Sequence, residues 1–416
     1  MSDAAADREV DFLLIGGGLA AGNCARWLRE EDADGSIVIV GREPDPPYNR
    51  PSCSKGYMQG KESREETYFR PLEWYEEQRV ELLTRTSVVK LDLESRVASL
   101  SSKQSVHFGQ ALLATGANVR RLRVDGCDLE GINYLRVLAN ADAIVADAED
   151  ADHVVLIGGS YIGSEVAASL TSRGKSCSIV MMESLPLSLT FGEQAGRYFG
   201  RVLSEHGVEL HGGEELDHFE GEDGRVRAVV TKSGKRLDAD VVVVGIGVAP
   251  DVTLARTAGL ELGERGGVKC DSRLQTGTPG VFAAGDICEY DSVIHGRPIR
   301  IEHWDVAFNH GKTAALNMLG RDVAHDVVPY FFSDLADWTS LEYVGPALSV
   351  DEEVVRGSLD DGEFSIWYLH EGRLAGALSV GRSDDLEHAR RLIESGATLG
   401  ERAAALGDLS SDLGEL

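Results

Sequence analysis

The sequence GGGLAA at residues 16–21 decides the fold, because it follows the apolar run Phe12 to Ile15 and opens an alanine-rich helical stretch. Glycines placed between a strand and a helix let the backbone approach a pyrophosphate group at the N-terminus of the helix. A second copy, GGSYIG at residues 158–163, follows the apolar run Val154 to Ile157. The sequence therefore predicts two dinucleotide-binding turns in one chain.

Composition excludes several classes of protein. The 416 residues contain 69 acidic and 41 basic side chains and carry a formal net charge of -28, which disfavours binding to nucleic acid or to anionic lipid. The segment Met1 to Val10 lacks the features of a signal peptide, and no apolar run reaches the roughly 18 residues that span a membrane. The six cysteines form no C-x-x-C pair, so we predict no metal site and no disulfide framework. A cytoplasmic location is the expectation.

The first glycine turn belongs to one half of a doubly wound sheet. We predict a helix over Ala20 to Glu30 and a strand over Ser36 to Val40. Two alternating stretches, Glu81 to Asp92 and Val97 to Phe108, are typical of strands that extend beyond the central sheet.

The second glycine turn starts a similar unit at His153, with a strand over Ser178 to Met182 and a helix over Glu193 to His206. Beyond Pro329 the pattern changes to short alternating strands and one helix, which predicts a small α+β domain. The acidic tail, Glu401 to Leu416, is expected to be loosely held.

These patterns predict an α/β fold with two Rossmann-like dinucleotide-binding domains and a small C-terminal α+β domain. The late sequence TPGVFAAGD at residues 278–286 must return to the first domain if its aspartate serves the first nucleotide. The first domain, for FAD, is therefore expected at 1–119 and 249–328. The second domain, for a nicotinamide nucleotide, is expected at 120–248, and the C-terminal domain at 329–416.

Three further motifs carry a resemblance to a known family. PYNRPSCSK at 47–55, RIEHW at 300–304 and YFFSD at 330–334 resemble segments of the FAD-dependent pyridine nucleotide reductases. Within them the chain is most similar to the branch that contains ferredoxin and rubredoxin reductases and the apoptosis-inducing-factor-like proteins. The resemblance implies FAD and NADH as cofactors, a ferredoxin or rubredoxin-type iron-sulfur acceptor, and a C-terminal reductase domain. It leaves a monomer or a homodimer open.

The resemblance assigns roles around the first nucleotide. The first glycine turn would hold the FAD pyrophosphate, and Asp286 would accept hydrogen bonds from the ribityl chain. An acidic residue after the second strand would bind the adenosine ribose. Glu43 is our assignment for that role, although an ungapped alignment places Arg42 at the position.

The second turn departs from the pattern, because Ser160 occupies the position of the middle glycine. We interpret the serine as tolerated, with a hydroxyl able to donate to phosphate. Glu183 ends the following strand, suits two ribose hydroxyls and would repel a 2'-phosphate, and residues 184–186 offer no arginine. NADH should therefore be preferred to NADPH.

Lys55 and Glu165 are the predicted catalytic residues, since the resemblance pairs them beside the isoalloxazine ring. It also implies that Tyr161 gates the nicotinamide pocket, whereas Trp304 and Phe332 are either aromatic walls of the site or ordinary core residues. The full set of predicted cofactor-binding positions is Gly16, Gly18, Leu19, Ala20, Ala21, Glu43, Arg50, Lys55, Val88, Ala114, Thr115, Gly116, Arg136, Gly158, Ser160, Tyr161, Ile162, Gly163, Glu165, Glu183, Gly247, Gly285, Asp286, Glu302, His303, Trp304 and Phe332.

Two other functions stay open. An apoptosis-inducing-factor-like protein would sense redox state by reacting slowly with NADH and holding a long-lived reduced complex that changes dimerisation. Alternatively, Cys53 lies ten residues after Glu43, a separation that resembles the redox cysteine of coenzyme A disulfide reductases. For an acidic ferredoxin, the basic cluster of Arg120, Arg121 and Arg123 is a hypothetical docking patch, with ordinary solvated charges as the alternative.

Overall fold

The computed structural model describes residues 8–416, so most of the N-terminal segment considered above lies outside the described residues. The chain divides into two compact units. Unit 1 comprises 1–49, 65–118 and 248–327, and unit 2 comprises 50–64, 119–247 and 328–416. Over the described residues, no helix is both long enough and apolar enough to cross a membrane.

The described residues form 25 strands and eight helices. The strands are β1 Arg8–Ile15, β2 Ile37–Val40, β3 Val80–Leu83, β4 Val88–Asp92, β5 Val97–Leu100, β6 Ser105–Leu113, β7 Ala117–Val119, β8 Ile132–Tyr134, β9 His153–Ile157, β10 Ser176–Met181, β11 Glu209–Gly212, β12 Leu216–Glu222, β13 Arg225–Thr231, β14 Arg236–Asp238, β15 Val241–Val244, β16 Val248–Pro250, β17 Val268–Cys270, β18 Val281–Ala283, β19 Cys288–Ser292, β20 Arg297–Ile299, β21 Tyr330–Leu335, β22 Thr339–Val344, β23 Glu352–Ser358, β24 Glu363–His370 and β25 Arg373–Val380. The helices are α1 Leu19–Glu30, α2 Leu72–Glu77, α3 Leu138–Ala148, α4 Tyr161–Ser172, α5 Ser188–Glu205, α6 Thr253–Thr257, α7 Trp304–Met318 and α8 Ser383–Ser395.

Unit 1 is built on a sheet with the strand order β3-β2-β1-β6-β5-β4, to which β18 adds beside β6. The buried apolar residues Leu13 and Leu14 make β1 a central strand, parallel to β2 and β6. Helices α1 and α7 approach closely, since a Cβ at Gly311 would lie 2.6 Å from the Ala20 carbonyl oxygen. This glycine allows the two backbones to meet.

Unit 2 contains a parallel sheet of order β11-β10-β9-β15-β8 and an antiparallel sheet of order β21-β22-β25-β24-β23 against which α8 packs. These sheets, with that of unit 1, confirm the predicted α/β class with a C-terminal α+β domain. The segment 50–64 clusters with unit 2. Hydrogen bonds from Gln59 to Ser169 (3.0 Å) and from Arg173 to the Met58 carbonyl (3.0 Å) attach it to α4.

The structure refines the bounds of two predicted segments. The stretch predicted over Glu81 to Asp92 is two strands, β3 and β4, because the chain turns at Arg85, where φ is +51°. The helix predicted over Glu193 to His206 agrees with the second of two helical segments in α5, because the non-helical Gly192 (φ +79°) separates it from a first segment that begins at Ser188.

The C-terminal tail is also held more firmly than its acidic composition suggested. Leu406 and Leu413 are buried, and the buried Arg356 donates to the backbone carbonyls of Leu406 and Asp408. Arg356 also lies 3.6 Å from Asp385 of α8. The expectation of a loose tail was therefore wrong, because two leucines and one buried cation tie it to the antiparallel sheet.

Two buried imidazoles are expected to make unit 1 acid-sensitive. Burial lowers the pKa of both His310 and His325, to about 4 for His325 against an ordinary value of 6.5. His325 is therefore neutral in the folded protein at pH values where the unfolded chain takes up a proton. For His325 we expect the stability present above pH 6.5 to fall by about 3 kcal/mol as the pH drops to about 4, and His310 should add a loss in the same direction. Urea denaturation at a series of pH values checks this.

The matched variant is His325→Gln, which removes one of the two imidazoles. Its free energy of unfolding should depend less steeply on pH between about 6.5 and 4 than that of the wild type. An identical pH dependence in the two proteins would contradict a neutral, buried His325.

Candidate functional site

The first group of predicted residues lies at the carboxyl edge of the sheet in unit 1. Strand register places Ile15 beside Val40 and Leu113, and Ala283 beside Leu113. The loops that follow these four strand ends therefore emerge side by side. They carry the glycine turn at 16–18, Glu43, the segment 114–116 and the Gly285-Asp286 turn.

In the first glycine turn, Gly16 and Gly18 are glycine for different physical reasons. Gly16 has φ +126°, and a Cβ there would lie 2.1 Å from the Ala114 carbonyl oxygen, so the fold itself requires glycine. Gly18 is extended (φ -97°, ψ -176°), and a Cβ there would meet nothing within 4 Å. Since α1 begins at Leu19 without a side-chain cap, the space beside Gly18 fits an anionic pyrophosphate group.

Glu43 and its neighbour Arg42 have different side-chain partners near this edge. Glu43 accepts a hydrogen bond from the Tyr48 hydroxyl at 2.6 Å. The exposed Arg42 instead donates to Asn118 at 2.8 Å and lies 3.2 Å from Asp251. Arg42 is thus engaged by other side chains of unit 1, which is compatible with Glu43 as the ribose ligand, although that role stays a prediction.

The segment Ala114 to Gly116 is fixed by backbone contacts with Asp251. The Thr115 hydroxyl donates to the Asp251 carbonyl at 2.6 Å, and the Asp251 N–H donates to the Gly116 carbonyl at 2.8 Å. Val88 begins β4, two residues after Thr86, whose N–H donates to the Gly41 carbonyl. These contacts bring further predicted residues toward the same edge.

The motif RIEHW places Glu302, His303 and Trp304 at the start of α7. Trp304 donates through Nε1 to Asn49 at 3.0 Å and stacks on Phe308, with ring centroids 5.2 Å apart. The indole is only partly buried, so part of its surface stays open to a ligand. Its contacts with Asn49 and Phe308 show that it also packs against its neighbours.

The second group of predicted residues lies at the carboxyl edge of the parallel sheet in unit 2. Register places Ile157 beside Val180 and Val244, and Val244 beside Tyr134. The loops after these strands carry the second glycine turn with Ile162, Glu183, Gly247 and Arg136. Arg50 donates to the Arg136 carbonyl at 2.9 Å, which brings two more predicted residues together.

The second glycine turn repeats the geometry of the first around Ser160. A Cβ at Gly158 (φ +108°) would lie 2.4 Å from the Gly245 carbonyl, and one at Gly163 would lie 1.9 Å from the Gly158 carbonyl. Ser160 is extended (φ -84°, ψ -169°) and exposed, as a side chain at this position can be without strain. Its hydroxyl lies 3.4 Å from the Gly245 oxygen and does not cap α4.

Lys55 and Glu165 are in direct contact within unit 2. The Lys55 Nζ atom lies 2.5 Å from Glu165 Oε1, and the two side chains are only 12% and 6% exposed. Ser333 donates to the same oxygen at 2.5 Å, and Ser54 donates to Oε2 at 2.5 Å. One buried carboxylate therefore neutralises one lysine and accepts from two hydroxyls.

A second carboxylate faces the same lysine. Asp334 Oδ2 lies 3.8 Å from Lys55 Nζ, and the lysine also lies 5.8 Å from the ring centre of Phe332. Desolvation raises the pKa of Asp334 above its ordinary value, although the charge of Lys55 opposes the shift. Unit 2 thus surrounds the Lys55 cation with a buried carboxylate (Glu165), a more exposed carboxylate (Asp334) and the ring of Phe332.

Tyr161 is the first residue of α4 and belongs to an aromatic cluster. Its ring centre lies 4.4 Å from that of Phe331 and 5.8 Å from that of Phe191. Burial raises the pKa of the Tyr161 hydroxyl above its ordinary range, so the group is neutral at physiological pH. The ring is held by packing, which limits how a predicted gate could move.

Other predicted features are placed as follows. Glu183 is partly exposed after β10, and its carbonyl accepts from the Gly213 N–H at 2.9 Å. Arg120, Arg121 and Arg123 are exposed, with the Arg121 guanidinium 4.9 Å from the centre of the Tyr134 ring. None of the six cysteines forms a disulfide in the described part of the chain, and Cys53 is buried. Among residues 8–416, no group of three or more potential ligands could hold a metal ion.

Sequence reasoning missed several residues at these sites. Ser54 and Ser333 lie inside quoted motifs, and motif membership was a signal that could have marked them. Arg300, in the motif RIEHW, donates to the Asp286 carbonyl at 3.0 Å and pairs with Glu302 at 2.5 Å. His310 contacts the Gly285 N–H and had no signal in the sequence.

Comparison with known proteins gives matches along nearly the whole chain. Residues 10–311 match the family described as Pyridine nucleotide-disulphide oxidoreductase, and residues 330–416 match that described as Reductase C-terminal. The anthranilate 1,2-dioxygenase system ferredoxin--NAD(+) reductase component of Burkholderia cepacia is 34% identical, covering 93% of this chain and 94% of that protein. Rhodocoxin reductase from Rhodococcus erythropolis is 32% identical, covering 95% and 92%.

A solved structure and a relative of another kind also match. The crystal structure of the covalent putidaredoxin reductase-putidaredoxin complex contains a chain with a TM-score of 0.91 and 30% identity, covering 98% of this chain and 97% of that one. Human apoptosis-inducing factor 3 is 30% identical over 98% of this chain and 66% of its own length. The fold is thus that of the solved putidaredoxin reductase complex's matching chain.

Proposed function

Because the chain belongs to the pyridine nucleotide-disulphide oxidoreductase family, we propose that it is an NADH-dependent reductase of a ferredoxin or rubredoxin-type iron-sulfur protein. The observation that carries the proposal is the pair of glycine turns. Each turn ends a strand of a parallel sheet and opens a helix without a side-chain cap. FAD and NADH are the cofactors that the family and its ferredoxin--NAD reductase relatives imply.

FAD and NADH, when bound, would supply the redox chemistry, namely hydride transfer between them and transfer of single electrons to an iron-sulfur acceptor. The chain's own residues bind the two nucleotides and orient them. In our proposal the uncapped N-terminus of α1 binds the pyrophosphate of FAD, and Glu43 and Asp286 bind its hydroxyl groups. Glu165 fixes the position of the Lys55 cation, while the second turn and Glu183 hold the nicotinamide nucleotide.

The first test mixes the flavin-loaded protein anaerobically with NADH, and separately with NADPH, in a stopped-flow spectrophotometer. Rapid loss of the oxidised flavin absorbance with NADH, and slow loss with NADPH, is the expected result. Absence of any reduction would show that Ser160 has disabled the second nucleotide site. Protein that fails to retain FAD would contradict the proposal at its first step.

A redox-sensing function is the second candidate, and the similarity to human apoptosis-inducing factor 3 favours it. The same experiment separates the two functions. Slow reduction, followed by a reduced protein that fails to pass electrons to any iron-sulfur acceptor, would support the sensor. Fast reduction and turnover with a ferredoxin would support the reductase.

The choice of nucleotide should depend on Glu183. Replacing it with serine removes the negative charge that would face a 2'-phosphate, so the ratio of kcat/KM for NADH to that for NADPH should fall at least ~10-fold. Steady-state kinetics with both nucleotides measure the ratio. The control is Glu193→Ser, which removes an exposed carboxylate of α5 that pairs with Arg197 and should leave the ratio unchanged. Equal ratios in all three proteins would contradict a role for Glu183.

A cytoplasmic location is part of the proposal. No disulfide links any of the six cysteines among residues 8–416, and structural disulfides are rare in the reducing cytosol. The partner's identity beyond an iron-sulfur protein, and the choice between monomer and homodimer, stay predictions.

A further inference from the structure

A buried cluster of rings lies behind the Gly285-Asp286 turn in unit 1. His310 is fully buried on α7, and its ring stands perpendicular to that of His325, with centroids 4.5 Å apart. Tyr290 of β19, only 1% exposed, lies edge-on to both imidazoles at 4.8 and 5.2 Å. None of these three residues has a role in the proposed function.

His310 contacts the turn directly. Its Nδ1 atom accepts a hydrogen bond from the Gly285 N–H at 3.2 Å. Gly285 has φ +74° and immediately precedes Asp286 in a short 3-10 helix. An Nδ1 atom that accepts must carry a lone pair, so the imidazole proton lies on Nε2 and the ring is neutral.

The surroundings of His310 keep it neutral. Burial and the neighbouring His325 lower the pKa of His310 well below its ordinary value. The other titratable groups near the pair are Tyr290, whose pKa burial raises beyond its ordinary range, and Asp326, whose charge acts on His325. No cation is therefore formed behind the turn at neutral pH.

The turn is held at two successive backbone groups. His310 accepts from the Gly285 N–H, and Arg300 donates to the Asp286 carbonyl at 3.0 Å. Two side chains from different parts of unit 1 thus restrain the peptide units before Gly285 and after Asp286. The position of the Asp286 carboxylate depends on these peptide units. Fixing a ligand-binding side chain before the ligand arrives lowers the entropic cost of binding.

We propose that His310 is a positioning residue of the flavin site: as the neutral Nε2–H tautomer it anchors Gly285 and thereby orients Asp286 toward the hydroxyl groups of the ribityl chain. This inference rests on the proposed function, in which Asp286 binds FAD. His310 itself contacts neither nucleotide nor substrate and acts only through the turn.

The test compares His310→Asn with His310→Leu. The two replacements have similar volume, but only asparagine retains an acceptor, Oδ1, at the position of Nδ1. Both should destabilise the apoprotein to a similar extent through lost packing. The dissociation constant for FAD should rise ~10-fold in His310→Leu and stay within ~3-fold of the wild type in His310→Asn. Fluorescence titration of the apoproteins with FAD measures it.

Two further measurements distinguish the loss of the hydrogen bond to Gly285 from a general loss of packing. His325→Leu alters the same cluster without touching Gly285, so it should destabilise the protein and leave FAD affinity unchanged. Nitrogen-15 chemical shifts of His310 should report an Nε2-protonated ring. Equal FAD affinity in His310→Leu and His310→Asn, or a proton on Nδ1, would overturn the inference. A wild-type protein that binds no FAD would instead overturn the proposed function, and the tautomer would still test the bond to Gly285.

Discussion

Replacing Glu165 with leucine is expected to lower the free energy of unfolding by ~3–5 kcal/mol, because the change leaves the Lys55 cation buried without its main partner. Glu165 is 6% exposed and lies 2.5 Å from Lys55 Nζ. Its two oxygens also accept from Ser54 and Ser333, whose hydroxyls would lose their acceptor. Urea denaturation followed by tryptophan fluorescence measures the loss, since Trp338 and Trp367 lie in unit 2.

The control for this prediction is the double variant Lys55→Met with Glu165→Leu. Removing both charges eliminates the unpaired cation, so the double variant should recover most of the stability that the single variant loses. Ser333→Ala, which removes one donor and no charge, should cost only about 1 kcal/mol. If Glu165→Leu cost no more than Ser333→Ala, or if the double variant were no more stable than the single one, an unpaired buried Lys55 cation would not be the cause of the loss.

The second large effect is expected at Gly18, where alanine should weaken FAD binding at least ~10-fold and leave the apoprotein intact. A Cβ at Gly18 meets no protein atom within 4 Å, and the extended backbone there suits any residue. The methyl group would instead occupy the space in which a pyrophosphate approaches α1. Fluorescence titration with FAD measures affinity, and urea denaturation of the apoprotein should change by less than ~0.5 kcal/mol.

Two other glycines of unit 1 provide the controls. Gly16→Ala should destabilise the apoprotein itself by more than ~2 kcal/mol, because its Cβ would lie 2.1 Å from the Ala114 carbonyl oxygen at φ +126°. Gly277 has open space around its Cβ position, so Gly277→Ala should change neither stability nor FAD affinity. Unchanged FAD affinity in Gly18→Ala would remove the first glycine turn as the pyrophosphate site.

Much of the fold could be predicted because its signals are local. The runs Phe12 to Ile15 and Val154 to Ile157 are buried central strands, and each glycine turn opens a helix one residue after its third position. Apolar periodicity and glycine placement act over a few residues, so a single sequence displays them. The turn at Arg85 (φ +51°) was not assigned from the sequence, whereas the helix start predicted at Glu193 agrees with the break at Gly192.

The candidate sites were only partly predictable. Lys55 and Glu165 are 110 positions apart, and the resemblance paired them because both lie in recognisable motifs. Ser54 lies in the motif of Lys55 and Ser333 lies in the motif YFFSD, yet only the folded chain shows that both hydroxyls donate to one carboxylate. Asp334 likewise gains its place beside Lys55 from packing within unit 2, not from spacing along the chain.

By itself the sequence determined the α/β class, the two glycine turns and the family to which the chain belongs. These depend on short segments whose conformational preferences are set by neighbours in the chain. Only the tertiary structure decided that Arg50–Arg64 clusters with unit 2, that the acidic tail is tied down through Arg356, and that His310 supports the Gly285-Asp286 turn. Such contacts join residues far apart in the chain, and burial and hydrogen-bond partners there arise from the packing of whole elements.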